Sequence, residues 1–267
     1  MNSREKLPHL FSHWHEIVGR VRQSPGVMLC LDFDGTLVRI APRPDQVRVA
    51  ARTVRLLRRL ARYRRVSVML VSGRRREDLR RHINLPRVRC FGLYGWDRNG
   101  HFSLSQAEAT DLMRARIRLG RELTKFTGAW LEVKNSSLSV HVRSVTAKTM
   151  PHVRRAVRRL VRPLRKSLHI FENLRDIEIA PWSVKDKGAA VCSFLAEPEH
   201  RKDLAFFFGD DFSDEPAFRA VREGISVLVG KARPSSARFR LRGPAKVVTA
   251  LARIEEAITD EQQRNAV

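Results

Sequence analysis

Two rhythms of apolar and polar residues alternate along this chain. Short apolar runs occur at Val27–Phe33, Val66–Val71, Val88–Leu93, Leu204–Phe208 and Ile225–Val229. Between and after them, apolar residues recur at helical spacing over Val47–Tyr63, Glu77–Ile83, Asp186–Leu195 and Ala245–Ile258. Brief buried strands alternating with amphipathic helices predict a largely parallel α/β sheet. The residues from Asp260 to Val267 are expected to fray.

The rhythm changes between Asp97 and Pro181. Ala107–Lys125 and Ala147–Leu164 read as helices, the second with Pro151 in its first turn and Pro163 near its end. Ala129–Val133 and Ser137–Val142 alternate with period two, and the KNSS between them reads as a hairpin turn. Leu168–Phe171 and Asp176–Ile179 predict a second hairpin. The expected organisation is a discontinuous α/β core, 1–96 and 182–267, with an α+β domain inserted at 97–181.

Charge adds a question about partners. Lys and Arg total 52 against 28 Asp and Glu, a net charge of +24. Nucleic acid, an anionic surface or an anionic substrate could answer it. The charge is mostly arginine, spread over helical stretches such as Arg52–Arg65 and Arg154–Lys166, with no compact basic block interleaved with aromatics. Solvated helix faces are therefore expected, and nucleic acid is not expected as a partner. Cys30, Cys90 and Cys192 lie among apolar residues without a CxxC pair and read as reduced core residues. The opening MNSREKLPHLFSHWHE has no apolar signal core, and no apolar run nears the ~20 residues that span a bilayer. A soluble, cytoplasmic monomer without a membrane partner is expected.

Polar residues gather where the apolar runs end. The first run leads into Asp32-Phe33-Asp34, the second into Ser72-Gly73-Arg74, and Leu204–Phe208 into Gly209-Asp210-Asp211-Phe212-Ser213-Asp214. Ligands of open parallel sheets bind beyond the carboxyl ends of the strands. In an extended chain residues 32 and 34 face the same side, and two such carboxylates need a proton or a cation between them. A third carboxylate from another strand end completes an all-oxygen site suited to Mg²⁺. Lys187-Gly188 opens a helix, where the amide ends and a lysine favour a phosphoryl group. Ser72 can hold a phosphate or cap a helix.

DFDGT, Ser72, Lys187-Gly188 and GDDFSDE stand in the order of the four motifs of the haloacid dehalogenase superfamily of phosphotransferases, which the chain resembles from Asp32 to Glu215. Within it, the chain resembles the trehalose-6-phosphate phosphatases. The resemblance is carried by Ser72–Arg74, by Glu132, Lys134, Ser137, Leu138, His141 and Arg143, by Glu178, Ile179 and Pro181, and by Val227–Gly230 with Ser236–Leu241. Tyr94 and Asp97 stand where that family usually has histidine and glutamate, and Ser213 where it usually has threonine.

This resemblance implies a Rossmann-like, HAD-like core with an inserted C2-type cap, and Mg²⁺-dependent hydrolysis of a small sugar phosphate. It implies Asp32 as nucleophile, Asp34 as general acid and base, and Ser72 and Lys187 as phosphoryl ligands. It implies Mg²⁺ on Asp32, the Asp34 carbonyl and Asp210, with Asp211 and Asp214 orienting metal waters or Lys187. Gly35 would let the chain turn beneath the substrate. Substrate-binding candidates are Gly73, Arg74, Glu132, Lys134, Ser139, His141, Arg143 and Glu178, with Trp96 either on a sugar ring or in the core. Trehalose 6-phosphate is the expected substrate. Other readings stay open: a sucrose, mannosyl- or glucosyl-glycerate phosphatase, a phosphomutase, or a basic nucleic-acid-binding protein.

Overall fold

The structure, a computed structural model, describes residues 7–41, 43–95, 97, 104–134, 136–172 and 176–264. The chain first forms α1 (Trp14–Gln23), β1 (Val27–Leu31), α2 (Ala51–Leu60), β2 (Val66–Val71), α3 (Arg76–His82) and β3 (Val88–Phe91). Next come α4 (Gln106–Leu123), β4 (Trp130–Val133), β5 (Leu138–His141), α5 (Met150–Val161), β6 (Leu168–Glu172) and β7 (Asp176–Pro181). The last elements are α6 (Lys187–Leu195), β8 (Leu204–Gly209), α7 (Glu215–Ala220), β9 (Ile225–Val229), β10 (Phe239–Leu241) and α8 (Pro244–Arg264). They divide into two compact units, Met1–Arg98 with Asp186–Asp210 and Asp214–Val267, and Asn99–Lys185 with Asp211–Ser213.

The first unit holds a six-stranded sheet in the order β10-β9-β8-β1-β2-β3. All neighbouring pairs are parallel. β1, β8 and β9 are buried at every position, which is why they read as unbroken apolar runs. In β1, Val27, Leu29 and Leu31 join Leu56, Leu57, Leu251 and Ile254 of α2 and α8. Met28 and Cys30 face the other way, toward Val191, Phe194 and Phe218 of α6 and α7. The strand order reverses at β1, with β2 and β3 on one side and β8, β9 and β10 on the other.

The second unit holds an antiparallel sheet in the order β4-β5-β7-β6. Leu138, Val140, Ile177 and Ile179 pack with Leu112 and Leu119 of α4 and Val153 and Val157 of α5. A capping box between Ser105 and Glu108 starts α4. Trp130 pairs with His141, Glu132 with Ser139, and Ser139 with Glu178. Period-two alternation therefore sets these polar residues on the face opposite the core.

Several boundaries differ from the sequence reading. The helix expected from Val47 begins at Ala51, because Ala50 is extended (φ −62°, ψ 136°). The one expected from Ala147 begins at Met150, after a turn in which the Thr149 amide donates to the Thr146 carbonyl (3.1 Å). α8 continues to Arg264, through part of the stretch expected to fray. Asn135, in the predicted KNSS turn, lies outside the described residues, while the Lys134 amide donates to the Ser137 carbonyl at 2.9 Å. Cys30 and Cys90 are buried, but Cys192 is exposed, because α6 turns Val191 and Phe194 inward instead. No helix among the described residues is long and apolar enough to cross a membrane.

Candidate active site

The reversal of strand order makes β8, β1 and β2 neighbours, so their carboxyl ends bring Asp210, Asp32 and Ser72 together. The Asp32 amide donates to the Phe208 carbonyl at 2.9 Å, locking the first motif to β8. Gly35 takes φ +88°, and a Cβ there would lie 2.1 Å from Asp210 Oδ2. Only glycine lets the turn after Asp34 lie this close to Asp210.

Asp32, Asp210 and Asp214 each offer a carboxylate oxygen within 4.8 Å of the others. All three residues are buried. Lys187, in the first turn of α6, donates from Nζ to Asp32 Oδ1 and to Asp214 Oδ1, both at 2.7 Å. Asp214 Oδ2 accepts from the Asp210 amide at 2.8 Å. One ammonium thus faces three carboxylates. Burial pushes the Asp32 carboxyl well above its ordinary range; Lys187 pulls it down, and Asp214 and Asp210 push it up again. Burial alone would lower Lys187, but Asp214 and Asp32 raise it further. Both groups hold their protons more tightly than in water, Asp32 chiefly because it is buried and Lys187 because of its two carboxylate partners. An all-oxygen set with unbalanced negative charge fits a hard divalent cation.

Asp34 is held from the other side. Arg74 donates from Nε to Asp34 Oδ2 at 2.6 Å and from Nη2 to Oδ1 at 2.9 Å. Its Nη1 donates to Asp78 Oδ2 at 2.6 Å. Burial works against the Arg74 charge, yet Asp34 and Asp78 raise its pKa above the ordinary value. Arg74, expected at the substrate, is thus engaged with the Asp34 carboxylate. The Ser72 hydroxyl accepts from the Arg74 amide at 3.2 Å. The Thr36 hydroxyl of DFDGT is fully buried and without a partner among the described residues.

Sequence reasoning missed the part played by Leu93, Tyr94 and Asp97. Leu93 and Tyr94 are both left-handed, at φ 49° and 62°. Their amides donate to the carbonyls of Arg74 (2.8 Å) and Ser72 (2.9 Å). A Cβ on Gly73 would lie 2.9 Å from the Tyr94 hydroxyl oxygen. The Asp97 carboxylate accepts from the Arg76 amide at 3.0 Å. Two of the three departures from the family pattern, Tyr94 and Asp97, therefore fall on the Ser72–Arg76 turn. A bulky residue caught between Gly92 and Gly95 was the only signal available in the sequence. Trp96 lies outside the described residues.

The other predicted residues lie in the second unit. Lys134 Nζ donates to Glu178 at 3.0 and 3.2 Å, and the Ser137 hydroxyl also donates to Glu178. His141 Nε2 lies 2.6 Å from Glu132 Oε2. Burial pushes the Glu178 carboxyl up, with Lys134 opposing. Burial would lower Lys134, but Glu178, Glu132 and Asp176 raise it. Here too, three carboxylates surround one ammonium. The Ser139 hydroxyl is buried without a partner among the described residues. Arg143 follows β5 and is half-buried. Asp211 groups with this unit, and its carboxylate accepts from the Phe212 amide at 2.6 Å.

The chain is 32% identical over 240 residues to an uncharacterized glycosyl hydrolase of Mycobacterium tuberculosis, covering 84% of this chain and 18% of that protein. It is 29% identical over 243 residues to the trehalose-phosphate phosphatase of the same species, covering 86% of this chain and 61% of that one. The chain thus spans less than two thirds of the length of either relative. The C-terminal domain of Candida albicans trehalose-6-phosphate phosphatase shares the fold, with a TM-score of 0.82 and 19% identity over 94% of this chain and 99% of that one. The family profile described as trehalose-phosphatase matches residues 30–245, from inside β1 to the start of α8, and the chain belongs to that family.

Proposed function

We propose that this chain is a phosphatase that hydrolyses trehalose 6-phosphate to trehalose and inorganic phosphate. The observation that carries this reading is the Asp32–Lys187–Asp214 contact beside Asp210, at the reversal point of a parallel sheet, in a chain of the trehalose-phosphatase family. The second unit is read as the cap that selects the sugar.

Asp32 Oδ attacks phosphorus, and the phosphorus–sugar oxygen bond breaks to leave an aspartyl-phosphate. Asp34 gives its proton to the departing sugar oxygen. It then takes a proton from the water that attacks the aspartyl-phosphate, returning Asp32 as a carboxylate and releasing phosphate. The Arg74 fork orients Asp34 for both transfers. Lys187 and Ser72 hold phosphoryl oxygens as their charge spreads. Asp32, Asp210 and the Asp34 carbonyl would hold Mg²⁺, with Asp214 in the same carboxylate group and Asp211 nearby in sequence. Bound there, the cation supplies the positive charge that lets a phosphate dianion approach three carboxylates. In the cap, Glu132, Lys134, Ser139, His141, Arg143 and Glu178 are read as partners of the sugar hydroxyls. The free cysteines fit a cytoplasmic setting.

A phosphate-release assay over a panel of phosphorylated sugars, with and without Mg²⁺ and a chelator, tests this reading. Magnesium-dependent release, fastest from trehalose 6-phosphate, is expected. Fastest release from a different sugar phosphate would replace the substrate; full activity in metal-free buffer would remove the cation site.

A further inference from the structure

The polar face of the second unit's sheet carries two large aromatic side chains outside its apolar core, Phe171, packed edge-on against His169 at 4.1 Å, and Trp130, which is left open. Trp130 is 44% exposed although it sits within a strand. One side of its indole stacks on His141, with ring centroids 3.9 Å apart and planes 14° from parallel. His141 is in turn fixed by Glu132 at 2.6 Å. Trp130 is thus held rigidly while part of its surface stays open to solvent.

The neighbours of Trp130 specify what could lie on it. Glu132 is two residues along the same strand face, and Ser139 is its cross-strand partner. Glu178 flanks Ser139 on the next strand, and Lys134 reaches Glu178 at 3.0 Å. The row Glu132–Ser139–Glu178 therefore lies about 7 Å from the Trp130–His141 row, two residues of strand rise away. Acceptors dominate it, with Glu132, Asp176 and Glu178 around the single ammonium of Lys134. A phosphate would be repelled there. A neutral polyol, which donates from many hydroxyls and presents an apolar C–H face, matches both the acceptors and the open indole. The Ser139 hydroxyl, in the middle of the Glu132–Glu178 row, is buried without a partner among the described residues.

We propose that Trp130 is the stacking platform for the non-phosphorylated ring of the substrate, with its position locked by His141 and Glu132. The inference rests on the reading of this unit as the sugar-selecting part. A second exposed tryptophan provides the control. Trp182 also stacks on a histidine, His169, at 4.4 Å, but its indole N–H is committed to the Arg165 carbonyl at 2.9 Å.

The test compares wild type, Trp130→Ala, Trp130→Phe and Trp182→Ala, each checked for folding by thermal melt. The readout is the ratio of kcat/KM on trehalose 6-phosphate to kcat/KM on p-nitrophenyl phosphate, which has no second sugar ring. Trp130→Ala should lower that ratio about 10-fold, mainly through KM, and Trp130→Phe about 3-fold or less. Trp182→Ala should leave it unaltered. Added trehalose should change the tryptophan fluorescence of wild type saturably, and Trp130→Phe should lose that change. A ratio that Trp130→Ala does not move, in an enzyme that cleaves trehalose 6-phosphate, overturns the platform and leaves the proposed activity standing. If wild type cleaves p-nitrophenyl phosphate but not trehalose 6-phosphate, the substrate assignment has failed. Fluorescence with trehalose, sucrose and maltose then decides the platform separately: a saturable change absent from Trp130→Phe upholds it, and no change overturns it.

Discussion

Arg74 grips Asp34 by a two-point fork, Nε to Oδ2 at 2.6 Å and Nη2 to Oδ1 at 2.9 Å. A fork of this kind fixes the plane of a carboxylate as well as its position. Asp78 completes the arrangement by accepting from Nη1 at 2.6 Å, so the guanidinium itself cannot swing. Asp34 is thereby held by a residue of the second strand end, two positions from the Asp32 with which the proposed mechanism pairs it.

Lysine cannot reproduce a planar fork. Arg74→Lys should therefore keep the charge and lose the orientation of Asp34. On a sugar phosphate, whose leaving alkoxide needs a proton, kcat should fall about 10-fold or more. On p-nitrophenyl phosphate, whose leaving group needs less help, the fall should be smaller. Steady-state kinetics on both substrates check this. Equal losses would mean that Arg74 supports the loop and not the acid.

Asp32→Asn separates chemistry from stability. The amide cannot attack phosphorus, so phosphate release should disappear. The amide oxygen can still accept from Lys187, and one of three mutually repelling carboxylates is gone. The melting temperature should hold or rise, because the shift of Asp32 is set first by burial and is opposed by a single lysine. A variant that is inactive and also several degrees less stable would show that the Lys187–Asp32 charge pair holds the site together.

Much of this site was legible in the chain because strand-end chemistry is local. Asp32, Ser72 and Asp210 each follow an apolar run directly, and a parallel sheet with a reversal point brings such ends together without further information. Lys187 was equally readable, since Asp186 caps α6 by accepting from the Ala189 amide and leaves Lys187 in the first turn. What escaped were contacts made across sequence distance. The Arg74–Asp34 fork spans forty positions and depends on side-chain reach. The packing of Tyr94 on Gly73 depends on two left-handed residues that no periodicity announces. β10 is three residues long, too short for an alternation to register, and α1 buries only Ile17 and Val21.

The unbalanced charge at Asp32, Asp210 and Asp214 predicts a stability response to metal. Mg²⁺ binding to the folded state alone should raise the melting temperature, on the order of 5 °C at saturating concentrations. Asp210→Asn should lose most of that rise while keeping the metal-free melting temperature. Differential scanning fluorimetry with and without Mg²⁺ gives both numbers without any turnover. An equal rise in the variant would place the effect elsewhere on the protein.

The second unit gives the sharpest dependence on pH. Glu178 is fully buried, and burial raises its pKa more than Lys134, 3.0 Å away, lowers it. An acid raised on folding keeps its proton at a pH where the unfolded chain has released it. Its contribution to stability is complete below the ordinary glutamate value of about 4.3 and is lost as the pH rises through the folded value. Lys134 is raised as well, so its contribution persists up to the ordinary lysine range near 10.4 and does not change between pH 4 and 8. Glu178→Gln removes the titration but retains a carbonyl that can accept from Ser137 and Lys134. The stability gap between wild type and this variant should therefore narrow, or reverse, as the pH rises from 4.5 to about 7.5. Asp32 titrates in the same direction but is common to both proteins, so its effect cancels. Melting temperatures of the two proteins across that range supply the comparison. A gap that widens with pH would mean that pairing with Lys134 outweighs burial, and that Glu178 sits in the fold as a satisfied carboxylate.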